Sequence, residues 1–198
     1  MSTRIDIKST AVSRSTATLI KTGQITSYRT GDDGDIEAGR DISFFLLDEN
    51  NPFGNNKRFT DELGTLIYTN NIVIDWSTYD GATVLGYRRT PNSVDINWND
   101  AIDQSLAVSI GTFTTGWRLT NIKELQNIWN GSSSLGFDYS PINIGNVQLW
   151  SSNTLTAATT VAWHTSTYGQ IVYQAKTNSG TLRFIPCRTF TVTGTTLT

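Results

Sequence analysis

Short apolar runs separated by polar turn residues occur in both the first and the last third of the chain. Leu66-Ile67-Tyr68 and Ile72-Val73-Ile74 flank the pair Asn70-Asn71, and this spacing predicts a β-hairpin over residues 64–81. Residues 41–51 form another short apolar run. From residue 147 the alternation returns, and it predicts strands in four segments: VQLWSS, TTVAWHTST, QIVYQAK and LRFIPCRTF.

The middle of the chain changes to a helical period. Residues 97–111 predict a helix, with Asn97 as its N-cap and Gly111 at its end. The face of this helix that is predicted to be buried carries Trp98, Ala101, Ile102 and Ser105.

The segment TGWRLTNIKELQNIW, residues 115–129, predicts a second amphipathic helix. Thr120 or Asn121 can cap it, and Asn121 with Glu124 three residues later has the pattern of a capping box. The stripe predicted to be buried contains Ile122, Leu125 and Ile128 or Trp129. The face predicted to point to solvent carries Lys123, Glu124, Gln126 and Asn127.

This order of strands, two helices and strands indicates an α+β fold, since βαβ units would alternate the two types. Residues 1–20 have no clear hydrophobic period and are interpreted as an N-terminal arm for attachment. Residues 21–198 are interpreted as one domain, which begins with a loop rich in Gly and Asp over residues 21–41.

Composition narrows the classes of function. The 198 residues carry a net charge of -2, which disfavours nucleic acid as a partner. No apolar run is long enough to predict a membrane span, and the N-terminus has no apolar core of a signal peptide. Cys187 is the single cysteine, so an internal disulfide is excluded.

Six segments, in register over about residues 20–190, resemble the Lcl C-terminal-domain-like family, the module at the end of a bacterial collagen-like adhesin. The six are TGQITSYRTGDDGD at 22–35, RFTDELGT at 58–65, NWNDA at 97–101, GWRLTNIKEL at 116–125, LWSSNT at 149–154 and IPCRTF at 185–190.

The resemblance implies a C-type-lectin-like fold, with two short helices on a small, twisted, mostly antiparallel sheet with long loops. It also implies a place outside the cell or on a phage particle, and for some members adhesion to sulfated polysaccharide. From the helical periods and the resemblance together, we assign a structural role to Trp98, Ser105, Trp117, Arg118, Leu119, Ile122, Leu125, Trp129 and Cys187.

The chain departs from the family pattern at two positions. The family pairs a cysteine in the first helix with the one near the end, but here Ser105 stands at the helix position and leaves Cys187 alone. A disulfide across about 80 residues would add about 4 kcal/mol, so packing or subunit contacts must replace it. The second departure is Thr120, where the family has proline.

Two short motifs suggest a cation or sugar site. The tripeptide WND at 98–100 occurs in calcium-dependent lectins, but the partner tripeptides EPN and QPD are absent, and we interpret it as the first turn of a helix. Asp32, Asp33 and Asp35 in GDDGD could ligate Ca²⁺, or could instead form Asx-turns. We therefore predict no cofactor, with Ca²⁺ at these three aspartates as the alternative.

The candidates for ligand binding lie among the last strands. His164 alternates out of phase with Trp163, which predicts a histidine on a strand surface, and one His with one Cys cannot complete a zinc site or a catalytic triad. Trp150 and Trp163 fit either the core or a ligand platform, and for Trp150 we favour the core. The ligand-binding candidates are Trp150, His164, Tyr168, Tyr173 and Lys176.

Together these observations predict a non-enzymatic virion protein of a phage tail, fibre or capsid surface. Its lectin-like domain is expected to bind a host-surface glycan or protein, and its arm to contact other virion proteins. We also expect a homo-oligomer, specifically a trimer. The alternative is a bacterial surface adhesin that binds polysaccharide. An enzyme related to formylglycine-generating proteins is disfavoured because those need paired cysteines.

Overall fold

The computed structural model describes Thr30 and residues 42–43, 47–48, 51–54, 57–129, 141–142 and 144–198. The predicted arm at 1–20 lies outside them. The chain divides into two units, Met1–Phe44 and Phe45–Thr198. Of the elements given below, only the strand Ile42–Ser43 belongs to the first unit, and all others belong to the second. The second unit is described by itself. It is an α+β unit of two helices and two mainly antiparallel sheets.

The helices are α1, Trp98–Leu106, and α2, Ile122–Trp129. The first strands are β1 Ile42–Ser43, β2 Leu47–Asp48, β3 Phe59–Thr60, β4 Ile72–Asp75, β5 Thr83–Arg88 and β6 Trp117–Leu119. The later strands are β7 Gln148–Leu155, β8 Ala158–Thr165, β9 Ile171–Ala175, β10 Leu182–Arg183, β11 Pro186–Thr193 and β12 Thr196–Leu197.

One sheet has the strand order β12-β11-β5-β4-β3, with β6 paired to β11 as well. Its pairs are antiparallel, and Cys187 in β11 lies opposite Tyr87 in β5 and Arg118 in β6. All four residues of β4 are buried, as expected for a strand in the middle of a covered sheet. The second sheet has the order β10-β7-β8-β9, and β10 pairs with β7 in parallel.

The predicted hairpin over 64–81 is wrong in its first strand. Ile72–Asp75 is a strand, but it pairs with Phe59–Thr60, and residues 66–68 form a loop. The carboxylate of Asp61 accepts the backbone N–H groups of Leu63, Thr65 and Tyr68, at 3.0, 2.6 and 3.3 Å. Because these N–H groups already have a partner, the segment cannot use them in a strand ladder.

Helix α1 begins as predicted and ends earlier. Asn97 is the N-cap, and its side chain accepts the N–H of Asp100 at 3.0 Å. The helix stops at Leu106, so the predicted end at Gly111 is wrong. Gly111 instead has φ +57° in a tight turn, in which Ile110 and Phe113 exchange two backbone hydrogen bonds.

The predicted capping box of α2 is confirmed. The Asn121 side chain accepts the N–H of Glu124 at 2.9 Å, and the Glu124 carboxylate accepts the N–H of Asn121 at 2.8 Å. Thr120 is buried and its hydroxyl donates to the carbonyl of Ile185, so Asn121 alone is the cap. Leu125, Ile128 and Trp129 are buried as predicted, and Ile122 packs at the edge of the same cluster.

Among the described residues, three clusters of buried side chains form the core. Helix α2 and Cys187 belong to the first cluster, Trp117 to the second, and Leu119 with Ala101 of α1 to the third. Ser105 is buried and satisfies its hydroxyl by donating to the carbonyl of Ala101 at 2.7 Å. Most of the positions with a predicted structural role are buried: Ser105, Trp117, Leu119, Leu125, Trp129 and Cys187. Arg118 and Ile122 are half-buried, as is Trp98 at the border of the third cluster.

Candidate functional site

The hairpin of β8 and β9 presents the most exposed aromatic surface of the described strands. Trp163 in β8 lies directly opposite Tyr173 in β9. Their ring centroids are 5.7 Å apart and the ring planes meet at 89°, an edge-to-face contact. Tyr173 is 61% exposed and Ile171, two residues earlier on the same face, is 37% exposed. We call Trp163, Tyr173 and Ile171 the hairpin platform.

Backbone pairing explains why the two rings meet. Ser166 N–H donates to the carbonyl of Gln170, and Lys176 N–H donates to that of Thr160. Hydrogen-bonded pairs alternate along an antiparallel ladder, so Trp163 and Tyr173 form a non-hydrogen-bonded pair. Such pairs bring Cα atoms to about 4.5 Å, which holds the side chains close together.

The tight turn between β8 and β9 places Tyr168 at the hairpin tip. The Ser166 hydroxyl oxygen accepts the N–H groups of Tyr168 and Gln170, both at 3.2 Å. The Gly169 N–H donates to the carbonyl of Ser166 at 3.0 Å. Tyr168 is 73% exposed, so its ring is available to a partner at the end of the hairpin.

Gly169 is required at its position by two independent features. It has φ +75°, a conformation that side chains disfavour. A Cβ atom there would overlap the indole of Trp129, the last residue of α2. The close approach of this turn to α2 therefore fixes the hairpin against the helix.

Trp150 and His164 are buried, so they do not contribute to a surface for ligands. They lie opposite each other in β7 and β8, with ring centroids 5.7 Å apart. Trp150 is fully buried, as we favoured, and its indole N–H donates to the carbonyl of Ile96 at 2.8 Å.

The interpretation of His164 as a surface residue is wrong, because the residue is only 3% exposed. Burial lowers the pKa of His164, although a hydrogen bond to the carbonyl of Thr165 opposes the shift. Trp163 and His164 do lie on opposite faces of β8, as predicted. The face that carries Trp163 is open to solvent, whereas the third core cluster covers the face that carries His164.

Lys176 lies beyond the end of β9, where its ammonium sits 4.0 Å from the centroid of the Trp98 ring. This is cation–π geometry. The Trp98 indole N–H donates to the carbonyl of Ser151 at 2.8 Å. The Lys176 side chain is therefore held against α1 and does not join Tyr173 and Trp163.

Of the two motifs that suggested a calcium or sugar site, only the WND tripeptide lies within the described residues. Asp32, Asp33 and Asp35 lie outside the described residues. The WND tripeptide opens α1 as we interpreted it, with Asn99 and Asp100 exposed in the first turn. Within the described ranges, no three His, Cys, Asp or Glu side chains form a group that could hold a metal ion.

A partly buried polar cluster joins α2 to β6 and β11. Arg118 donates to both carboxylate oxygens of Glu124, at 2.8 and 2.5 Å. The thiol of Cys187 lies 3.5 Å from one of them. The prediction that Glu124 faces solvent is therefore wrong, because it turns back to cap its own helix and bind Arg118.

The cluster shifts the pKa of its members in opposite directions. Burial raises the pKa of Glu124, but hydrogen bonds from Arg118 and from the Asn121 N–H outweigh it, and the net pKa is lowered. Burial, with a smaller contribution from the charge of Glu124, raises the pKa of Cys187 to about 12. Burial also raises the pKa of Tyr87 well above its ordinary value. The neutral thiol and phenol suit a structural role.

Sequence reasoning did not single out Ile171 and left Trp163 undecided between core and platform. The sequence contains a signal for this exposed face. In a strand IVYQA, side chains alternate between the two faces, so Ile171, Tyr173 and Ala175 share one face. A second exposed apolar group, Leu63, Leu66 and Ile67, was also not predicted, and Leu66 and Ile67 were instead assigned to a strand.

Comparisons of the chain with protein-family models, with curated proteins and with solved structures gave no match. Within the described residues, no helix is long and apolar enough to cross a membrane.

Proposed function

We propose that this protein is a non-catalytic binding domain of a phage particle and that it holds a host-surface glycan on the hairpin platform. The observation that carries the proposal is the edge-to-face contact between the exposed Tyr173 and the half-buried Trp163. An exposed apolar group of this kind on a strand is typical of an interaction surface.

The chemistry of the platform suits a sugar chain. Tyr173 offers a ring face for the C–H groups of a pyranose and a hydroxyl for its polar groups. Trp163 is half-buried and braces the Tyr173 ring, so little side-chain freedom is lost when a ligand binds. Tyr168 at the hairpin tip can extend the contact to a neighbouring sugar unit.

The remaining parts of the proposal come from the family resemblance. A C-type-lectin-like arrangement is compatible with two short helices packed on mainly antiparallel sheets. The host-surface ligand follows from the resemblance, and the virion location from the resemblance together with the lack of a signal-peptide pattern and of a disulfide partner for Cys187. Attachment by residues 1–20 follows from their lack of a hydrophobic period. All three stay predictions.

Binding to a panel of immobilised neutral, carboxylated and sulfated polysaccharides tests the platform. Tyr173→Ala should reduce binding of the retained polysaccharide by about tenfold, because a stacked ring contributes about 0.5–1.5 kcal/mol beyond the apolar area that it buries. Tyr173→Phe keeps the ring and should retain most of the affinity. Ile67→Ala is the matched control, since Ile67 is exposed and apolar but lies in a loop outside the hairpin platform.

Two results would contradict the proposal. Equal binding by wild type and Tyr173→Ala would show that the hairpin platform is not the binding site. If the protein bound none of these polysaccharides and no host cells, a glycan ligand would be refuted. Immunogold labelling of phage particles tests the virion location separately, and label only on bacterial cell surfaces would favour the adhesin alternative.

A further inference from the structure

Strand β9 is an edge of its sheet, in the order β10-β7-β8-β9. The bonds Ser166 N–H to Gln170 O and Lys176 N–H to Thr160 O fix which of its backbone groups face β8. Because facing alternates along an antiparallel ladder, residues 170, 172, 174 and 176 face β8. The backbone groups of Ile171, Tyr173 and Ala175 therefore point away from the sheet.

These outward groups form a row that another strand can pair with. Within the described residues, the one bond to them is from Asn178 N–H to the Ala175 carbonyl, at 3.0 Å. The features that usually block pairing at an edge are a proline, a charged residue or a bulge. The sequence Ile171–Ala175 has no charge and no proline, and the register shifts of this sheet lie between β7 and β8.

We propose that β9 pairs antiparallel with β9 of a second copy of this chain, about a two-fold axis at Tyr173. In this register Tyr173 lies opposite its own equivalent, and Ile171 lies opposite Ala175. The N–H and carbonyl groups of Tyr173 then bond those of its equivalent, and the Ala175 N–H of each copy bonds the Ile171 carbonyl of the other. The Ala175 carbonyl already accepts the Asn178 N–H, and its second lone pair accepts the Ile171 N–H of the other copy. Two four-stranded sheets join into one of eight strands.

The second copy is the occupant that the edge fits best, because the edge is complementary to itself. The bulky Ile171 meets the small Ala175, and no charge on β9 opposes its own equivalent. The exposed side chains of Ile171 and Tyr173 gain neighbours from the partner on the same face. A contact that uses the same patch twice closes at two copies, so it yields a dimer in place of the trimer expected from the sequence.

The pairing also changes the hairpin platform. A hydrogen-bonded pair holds its Cα atoms about 5.5 Å apart, so the two Tyr173 rings would lie side by side. Each is flanked by its own Trp163, which makes one continuous row of four aromatic side chains. The dimer does not depend on glycan binding. Its tests measure the mass of the assembly and the exchange of backbone amides in the absence of a ligand.

Sedimentation velocity of the full chain over a concentration series is the first test. Wild type should move from monomer to dimer as concentration rises. Tyr173→Lys and Tyr173→Glu each place like charges opposite one another and should weaken the dimer by about tenfold or more. An equimolar mixture of the two should restore association, because the charges then attract. Ile67→Lys adds the same charge in a loop away from β9, so this variant should associate as wild type does.

Amide hydrogen exchange of the wild-type chain gives a second test that needs no substitution. Protection of the Ile171, Tyr173 and Ala175 amides should rise with protein concentration. The amides of Val172 and Gln174 face β8, so their protection should not change.

Four results would each overturn the pairing. They are a wild-type monomer at every concentration, a trimer that persists in Tyr173→Lys, a charge-swapped mixture that stays monomeric, and concentration-independent protection of the Tyr173 amide. The last would mean that a segment of the same chain covers the edge.

Discussion

The carboxylate of Glu124 lies 3.5 Å from the thiol of Cys187, and the same carboxylate binds Arg118 and caps α2. One side chain therefore connects the start of α2 with β6 and β11. Burial of such a carboxylate is unfavourable unless hydrogen bonds compensate, and here a guanidinium and a backbone N–H do so.

Glu124→Gln should lower the free energy of unfolding by about 2 kcal/mol at pH 7. The substitution removes the charge that Arg118 binds, and the pair is only partly buried, which limits the cost. Because folding lowers the pKa of Glu124, its contribution is present above the pKa in the unfolded chain. It is lost as the pH falls below about 4.

Urea unfolding at pH 7 and at pH 3 measures both effects. The difference between wild type and Glu124→Gln should be smaller at pH 3. Asp103→Asn on the exposed side of α1 is the control and should change stability by less than about 0.5 kcal/mol. An equal difference at both pH values would refute a charged Glu124 as the source.

Cys187 should resist thiol reagents in the folded protein. Its side chain is fully buried and its pKa is raised to about 12, so the reactive thiolate is scarce at pH 8. Labelling with an aromatic disulfide at pH 8 should be at least about a hundredfold slower in the native chain than in 6 M urea. Rapid labelling of folded protein at pH 8 would show that the cluster opens readily.

The sequence predicts helix caps correctly, because a cap depends only on residues within one short segment. The capping box of Asn121 and Glu124 and the N-cap Asn97 depend only on residues three positions apart, and both were predicted. The strand predicted at Leu66 failed because the carboxylate of Asp61 takes its backbone donors. Strand propensity does not reveal that competition.

The candidate site was only partly predictable for a different reason. Alternation placed Trp163 and His164 on opposite faces of β8, which is correct. It does not indicate which face the rest of the chain covers, and the covered face is that of His164. The pairing of Trp163 with Tyr173 depends on the register of β8 and β9, which in turn depends on the turn at Gly169.

Stability should fall as the pH decreases from about 7 to 5 because of His164, the single histidine. Burial lowers its pKa in the folded state, so the unfolded chain binds the proton first. The free energy of unfolding therefore rises with pH across this window, by at most about 1.4 kcal/mol per pH unit. Urea unfolding of wild type and His164→Phe, which keeps a ring beside Trp150, should differ in this slope.

A direct readout of His164 is the titration of its imidazole resonance. In native protein the midpoint should lie below about 6.5, and in urea it should return to about that value. An identical midpoint in both states, or an unchanged slope in His164→Phe, would contradict the assignment.

Gly169→Ala should destabilise the chain by roughly 2–5 kcal/mol, since it adds a side chain at positive φ and overlaps Trp129. Gly194→Ala separates the two causes, because Gly194 has φ +60° but open space around its Cβ position. It should lose only about 1–2 kcal/mol. Thermal unfolding of both variants gives the difference that Trp129 causes. If Trp129→Leu removes that difference, the contact between the hairpin turn and α2 is its source; equal losses for both glycines would show that backbone strain alone requires Gly169.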